Sequence, residues 1–494
     1  MSTGSALQES DTPAVPDQNE VAEPVTTTSQ GFYPPPEPSV LRRSLILSAA
    51  ASCLGSAFFT IVQGTVFNFF LEDLNLRQRL PFFMGLWCLG SLGALAGSVL
   101  QERYGCRLFL FMFGCGASRL LWLPIGLLPF FGPQFIQSPS AFYWLSALTL
   151  LFYFIHSMGS TPWLTWMADL VPKKMQGRYW SLRQVGCSGA AVLARLGSGY
   201  FLDPFHKNHD LTGYTILFCA ATVIGVMDVL MFFGVTHRRP IIRAKPAGVF
   251  SELARRLKEA PLRRLCAVYL IWSCSNCLIG PTLYFFMRDQ VKMGVAGISV
   301  VESISLVALT GYTLLWGKYS DRHGLRGPLV LCLIVHALCP MFYFPAKAGD
   351  DYLIAMGFAV GAIGFCGINL FMWPLLINFT KGKGGGRETG MAIFTAGMGL
   401  ANFLAFTVAD RWLFGAVGWL LKLPGDSVNV YLAIIAFCMF LRFWSAWIAW
   451  HLPREAHETA PMEVITEVVS TNPLRAALSF FKYVIGQEEW HTGP

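Results

Sequence analysis

Charge is scarce in this chain: Asp, Glu, Lys and Arg make up 13% of 494 residues, against 54% hydrophobic, and the mean hydropathy is +0.49. Soluble domains carry about a quarter of their residues as charges, so the shortage argues against a soluble helical enzyme and for a bilayer. No Gly-Lys-Ser/Thr phosphate loop is present, which speaks against an ATP-driven machine. No catalytic constellation is visible, and the chain is read as not an enzyme. None of the thirteen cysteines falls in an expected external loop, so there is no disulfide framework. Cys274-Ser-Asn-Cys277 lacks a His or further Cys at ligand spacing, and no metal or cofactor is expected. The N-terminus has neither the basic start nor the short apolar core of a signal peptide. Residues 1–41, rich in Pro, Ser, Thr, Glu and Gln, read as a disordered cytoplasmic tail.

What the chain does have is apolar runs long enough to cross a hydrocarbon core, which takes about 20 residues. Twelve are expected, at 45–70, 79–100, 107–131, 141–166, 179–201, 213–235, 265–287, 297–317, 327–346, 352–379, 391–412 and 428–450. The tails and alternate loops starting from the N-terminus hold 26 of the 37 Lys and Arg, the opposite loops hold 8, and three lie inside segments. The positive-inside rule then places both termini and the 236–264 loop in the cytoplasm. The basic loop is a topology determinant that can touch anionic lipid, and no nucleic-acid partner is implied. The expected organisation is tail 1–41, six segments over 42–235, basic loop 236–264, six segments over 265–452, and tail 453–494. Within the last tail, Val464, Val468, Leu474, Leu478 and Phe481 have loosely helical spacing.

The halves repeat. Gly317 to Arg326 fits Gly-x-x-x-Asp-Arg-x-Gly-x-Arg, with Asp321, Arg322, Gly324 and Arg326 in register, between segments eight and nine. A weaker copy, Glu102-Arg103-Tyr104-Gly105-Cys106-Arg107, lies 219 residues earlier. Pro162-Trp163 followed by Gly177-Arg178 is matched by Trp373-Pro374 followed by Gly386-Arg387, at offsets of 212 and 209. Three features with so little drift imply two structurally related six-helix bundles.

On these motifs the chain resembles the major facilitator superfamily over nearly all of residues 42–452. The resemblance implies an all-α polytopic fold of twelve transmembrane helices in two pseudo-symmetric bundles, in the cell membrane. It implies a conformational switch at Gly317, Asp321, Arg322, Gly324 and Arg326, and in the first half at Glu102, Arg103, Gly105 and Arg107. The run from Trp163 to Arg183 also looks distantly like the glycoside, pentoside and hexuronide cation symporters. Segments two and four lack the acidic cation ligands of those proteins, and the helix-four arginine of drug/proton antiporters is absent.

An ionisable side chain in mid-membrane costs roughly 2.5–3.5 kcal/mol on insertion scales and needs a partner or a wet cavity. Arg119, Arg442 and Asp228 are read first as structural ion pairs. Arg195 and Glu302 lie at similar heights on segments five and eight, which the resemblance sets face to face; they are expected to pair when the outer side is closed. Arg79 and Asp410, on segments two and eleven, form the companion gate. Segments one, four, seven and ten are expected to line a cavity, offering Gln63, Asn68, His156, Asn276, Asn369 and Asn378 with Trp163, Trp272 and Trp373. Glu302, Asp228 and His156 are the candidates for proton coupling, and Pro281 after Gly280 is the expected bend of segment seven.

The resulting expectation is a monomeric secondary transporter of a small polar organic solute, coupled to protons or sodium and working by alternating access. A sugar-like solute is favoured, with an organic anion held by Arg195 as the alternative. The rival from another class is a sensor that keeps the fold and binds without moving anything.

Overall fold

The computed structural model describes residues 38–136, 138–171, 176–236, 260–380, 387–425 and 427–453. The expected tails and nearly all of the basic loop, with the apolar spacing at Val464 to Phe481, lie outside the described residues. Among those residues there is no strand, and twelve helical rods follow in order. They are α1 (Pro38–Asp73), α2 (Arg77–Gln101, running on to Tyr104), α3 (Arg107–Gly126), α4 (Pro139–Leu170), α5 (Gln176–Lys207) and α6 (Thr212–Gly234). The second set is α7 (Ala260–Val291), α8 (Val295–His323), α9 (Arg326–Phe342), α10 (Asp351–Thr380), α11 (Arg387–Val408, continuing to Leu421) and α12 (Val428–Trp450). Among the described residues, ten of these helices are long and apolar enough to cross a bilayer. The other two are α9, which is short, and α5, which carries Arg183 and Arg195 on a stretch rich in small residues.

Packing follows the two halves. In the first, α1 lies against α5 and α6, and α4 against α2 and α3; in the second, α7 lies against α12, and α10 against α8 and α9. The halves meet where α5 packs on α8 and α2 on α11. Small residues make that approach possible: a Cβ on Gly199 would stand 2.3 Å from Ser299 Oγ, and one on Gly399 would stand 2.4 Å from Ser91 Oγ. The outward faces carry exposed Phe130, Trp419 and Trp447, apolar surface that a bilayer covers.

Three helices are irregular where they approach the same end of the bundle. α1 breaks at Gly64, whose φ of 70° is costly for any residue with a Cβ. α7 and α11 each pass through a π-helical turn, Met287–Val291 and Ala409–Leu413. A π turn shifts the register of the side chains that follow it, and these two carry Arg288, Asp289, Asp410 and Arg411.

Candidate functional site

The end where α1 meets α2 and α7 meets α8 is the one that the distribution of Lys and Arg leads us to expect outside. Four ion pairs join the halves there. Arg195 Nε lies 3.4 Å from Glu302 Oε2, and its Nη1 donates to the Glu302 carbonyl at 3.2 Å. Arg79 pairs with Asp410 at 2.9 Å, Arg77 with Asp289 at 2.6 Å, and Arg288 with Glu72 at 2.7 Å. The last is bidentate, since Arg288 Nε also donates to Glu72 Oε2 at 3.1 Å, the strongest geometry for such a pair. Tyr284 donates to Glu72 and Tyr431 to Asp289, both at 2.9 Å. Behind them Asp73 accepts from Tyr214 at 2.5 Å and lies 2.8 Å from His206 Nδ1. Arg288, 3.2 Å away, donates to the other ring nitrogen of that histidine.

The break in α1 belongs to this cluster. Thr65, the first residue beyond Gly64, donates its hydroxyl to Glu302 Oε2 at 2.5 Å. A Cβ on Gly64 would lie 3.8 Å from Glu302 Oε2 and 3.9 Å from Arg195 Nη2, so space is adequate and the backbone angle is the constraint. Gly64→Ala is therefore expected to cost about 1–3 kcal/mol, because φ 70° with ψ −133° is a mirror-β conformation open almost only to glycine, and to loosen the Thr65–Glu302 bond. Thermal melting in detergent reads the first effect.

Each half also buries an arginine. In the first, Arg119 Nη2 lies 3.1 Å from Asp228 Oδ2, with both residues under a tenth exposed. The guanidinium stacks on Phe58 and Phe59 at 4.3 and 4.6 Å. His156 Nδ1 is 3.4 Å from Arg119 Nη1, and because arginine only donates, that ring nitrogen is the acceptor. α1 admits the pair at Gly55, where a Cβ would come within 2.7 Å of Asp228 Oδ2. In the second half, Arg442 bonds Asn276 Oδ1 at 2.8 Å, the His336 carbonyl at 3.0 Å and Ser275 at 3.2 Å, and the Trp272 indole donates to His336 Nδ1 at 3.0 Å. Asn276 and Trp272, expected to face the solute, are thus occupied as partners in the bundle.

The two motif loops turn at equivalent glycines but with different backbone angles, ψ being 13° at Gly105 and −176° at Gly324. Gly105 and Gly324 both take positive φ, 61° and 75°. Arg107 and Arg326, 219 residues apart, each open the next helix and are buried. Arg326 donates to the Trp450 carbonyl and Arg103 lies over Tyr104. The side chains of Glu102, Asp321, Arg322, Trp373 and Asn378, and position Gly317 apart from its helical backbone, lie outside what the structure describes. Of the remaining cavity candidates, Asn68 is buried in the aromatic core near Phe67 and Phe69, Gln63 faces the Tyr153 hydroxyl, and Asn369 Nδ2 donates to the Phe365 carbonyl at 2.8 Å, leaving its oxygen unused by that bond. Asn402, unremarked in the sequence, accepts from Ser273 at 2.7 Å. A groove of about 420 Å³ on the α5–α8 seam, lined by Val192, Leu196, Val300, Ile304 and Val307, is too apolar for a polar solute. Among the described residues no cluster of His, Cys, Asp and Glu could hold a metal.

Known structures have this arrangement of helices. A crystal structure of a D-xylose-proton symporter superposes with a TM-score of 0.62 at 15% identity, covering 85% of this chain and 100% of that one. The nucleoside transporter NupG superposes with a TM-score of 0.55 at 14% identity, covering 83% and 98%. No curated protein matches the sequence, and at these identities the structures establish the fold alone. The family model described as Major Facilitator Superfamily matches residues 116–406, from α3 into α11. With that match spanning more than half of the chain, on a fold of paired helical bundles, the protein belongs to the Major Facilitator Superfamily.

Proposed function

We propose that the protein is a secondary transporter that moves a small, hydroxylated organic solute by alternating access, and that the arrangement described above is its outer-closed state. The observation that carries this reading is the set of four ion pairs at the outer end. Each links one helix of the first half to one of the second: α1 to α7, α2 to α7, α2 to α11 and α5 to α8. Separation of the halves would break all four together, as alternate exposure of a mid-membrane site requires. Arg195 and Arg79 then act as gate residues, and Arg195, whose donors go to Glu302, is a poor choice as a solute ligand in this state. The oxygen of Asn369, together with Gln63 and Asn402, supplies amides suited to hydroxyls. The structural neighbours named for D-xylose and nucleosides favour the same solute class and a proton as the coupling ion. Of Glu302, Asp228 and His156, Glu302 is the proton-carrying candidate whose partners change when the halves part.

The test is uptake into proteoliposomes from a panel of sugars, nucleosides, sugar acids and sugar phosphates, with and without an inward proton gradient, alongside Glu302→Lys. Gradient-stimulated uptake in the native chain and its collapse in the variant are expected. Binding of a panel member with no flux would favour a non-cycling sensor. Uptake that Glu302→Lys leaves unchanged would remove the gate from the reading.

A further inference from the structure

Arg183 is unlike the other arginines inside the bundle. Arg119 faces Asp228, Arg195 faces Glu302, and Arg442 is surrounded by oxygens of Ser275, Asn276 and His336. Arg183, in the first third of α5, has no carboxylate within ion-pair distance among the described residues. Its guanidinium is nonetheless held in place. Nε donates to Ser52 Oγ of α1 at 2.7 Å, and the Ser52 hydroxyl is itself spent on the Ser48 carbonyl at 2.7 Å, which turns its lone pairs to the arginine. Two indoles close on it, Trp163 of α4 at 4.8 Å and Trp180 of α5 at 5.2 Å, with the two rings nearly perpendicular. Tyr179 ties the same turn of α5 to α1 through Ser48 at 2.7 Å. Orientation is thus fixed through Nε and the two indoles, while Nη1 and Nη2 have no acceptor among the described residues.

A guanidinium oriented in this way, with its terminal edge unused, is the recognition geometry for a carboxylate or phosphate. An anion bound against that edge would also supply the counter-charge that Arg183 lacks among the described residues. We propose that Arg183, with Ser52, Trp163 and Trp180, forms an anion subsite, and that the solute carries one carboxylate or phosphate group in addition to its hydroxyls. This rests on the transporter reading for the word solute, though not for the subsite. A lipid phosphate shares the chemistry. The solute is favoured because the guanidinium is fixed to α1 and stacked on α4, two helices expected to line the cavity.

The experiment is thermal melting of the full chain in detergent with size-matched pairs: glucose against glucuronate and glucose 6-phosphate, ribose against ribose 5-phosphate. The same melts are run after adding phosphatidylglycerol, and in the variants Arg183→Gln and Arg183→Lys. A ligand that binds only the folded chain raises the melting point by mass action. The expected result is stabilisation by a charged member beyond its neutral counterpart, lost in Arg183→Gln and partly kept in Arg183→Lys, whose unliganded melting points report folding. Stabilisation by neutral members only, by no member, by anions equally in Arg183→Gln, or by the lipid alone would each overturn the proposal. Because the readout is binding, a chain that binds the anion without transporting it would sink the transporter reading and leave the subsite standing.

Discussion

Glu72→Gln is expected to open the outer end. The substitution removes the charge that accepts two N–H bonds from Arg288 and one O–H bond from Tyr284. It leaves Arg288 one neutral amide oxygen in place of the bidentate carboxylate, beside the Met293 carbonyl and a ring nitrogen of His206. Hydrogen bonds to a charged partner contribute about 1.5–3 kcal/mol each. Both side chains retain almost a fifth of their exposure, so the low end of that range applies to the pair. About 1.4 kcal/mol is a tenfold change in an equilibrium constant. The ratio of outer-closed to outer-open protein should therefore fall about tenfold or more. Spin labels at Asn208 and Ala348, on the outer turns of the two halves, are expected to gain a longer-distance population in Glu72→Gln. The exchange Glu72→Arg with Arg288→Glu is expected to reverse it. An unchanged distance distribution in the single variant would show that Glu72 and Arg288 do not latch the halves.

The largest loss of stability is expected from Asp228→Ala. It would leave Arg119, 3% exposed and packed on two phenylalanines, without its counter-charge and with only His156 in reach. Breaking a buried pair from one side costs about 3–5 kcal/mol, whereas replacing both members with apolar residues is often neutral. Arg119→Leu combined with Asp228→Ala should accordingly melt well above Asp228→Ala alone. That sign in a double-mutant cycle identifies the pair as structural. If the double variant instead melted at the sum of the two single losses, Arg119 would have another partner of comparable weight.

Most of the fold could be read from apolar run length alone, because a bilayer leaves a chain few alternatives to spanning helices. The pairings of Arg195 with Glu302 and Arg79 with Asp410 were expected from height along the helices together with the family resemblance, which sets those helices face to face. Glu72, Arg77, Arg288 and Asp289 were passed over because a charge at a helix end looks the same whether it meets water, a headgroup or another helix. The repeat contained the missing signal. Glu72 and Arg288 are 216 residues apart and Arg77 and Asp289 are 212 apart, within the drift of the three repeated motifs. Positions related by the duplication thus meet each other across the pseudo-twofold axis. The same offset relates Arg119 to His336 and Asp228 to Arg442, 217 and 214 residues apart, so the buried polar cores are a second copy of one design with the chemistry exchanged. Arg183 escaped notice for another reason: it sits at the inner end of its segment, among the cytoplasmic charges that set topology.

The two kinds of ion pair differ in their contact with the surrounding solution. Arg119 and Asp228 are sealed among aromatic rings, while Arg77, Asp289 and Arg79 keep about a third of their side chains open at the outer rim. Mobile ions screen charges within about 10 Å at 0.1 M salt and about 3 Å at 1 M, and they act on rim pairs far more than on buried ones. On the proposed alternating-access function, the resting balance between the two orientations would therefore be set in part by the salinity outside the cell. A change in external medium reaches the gate directly while the integrity of each bundle stays insulated from it.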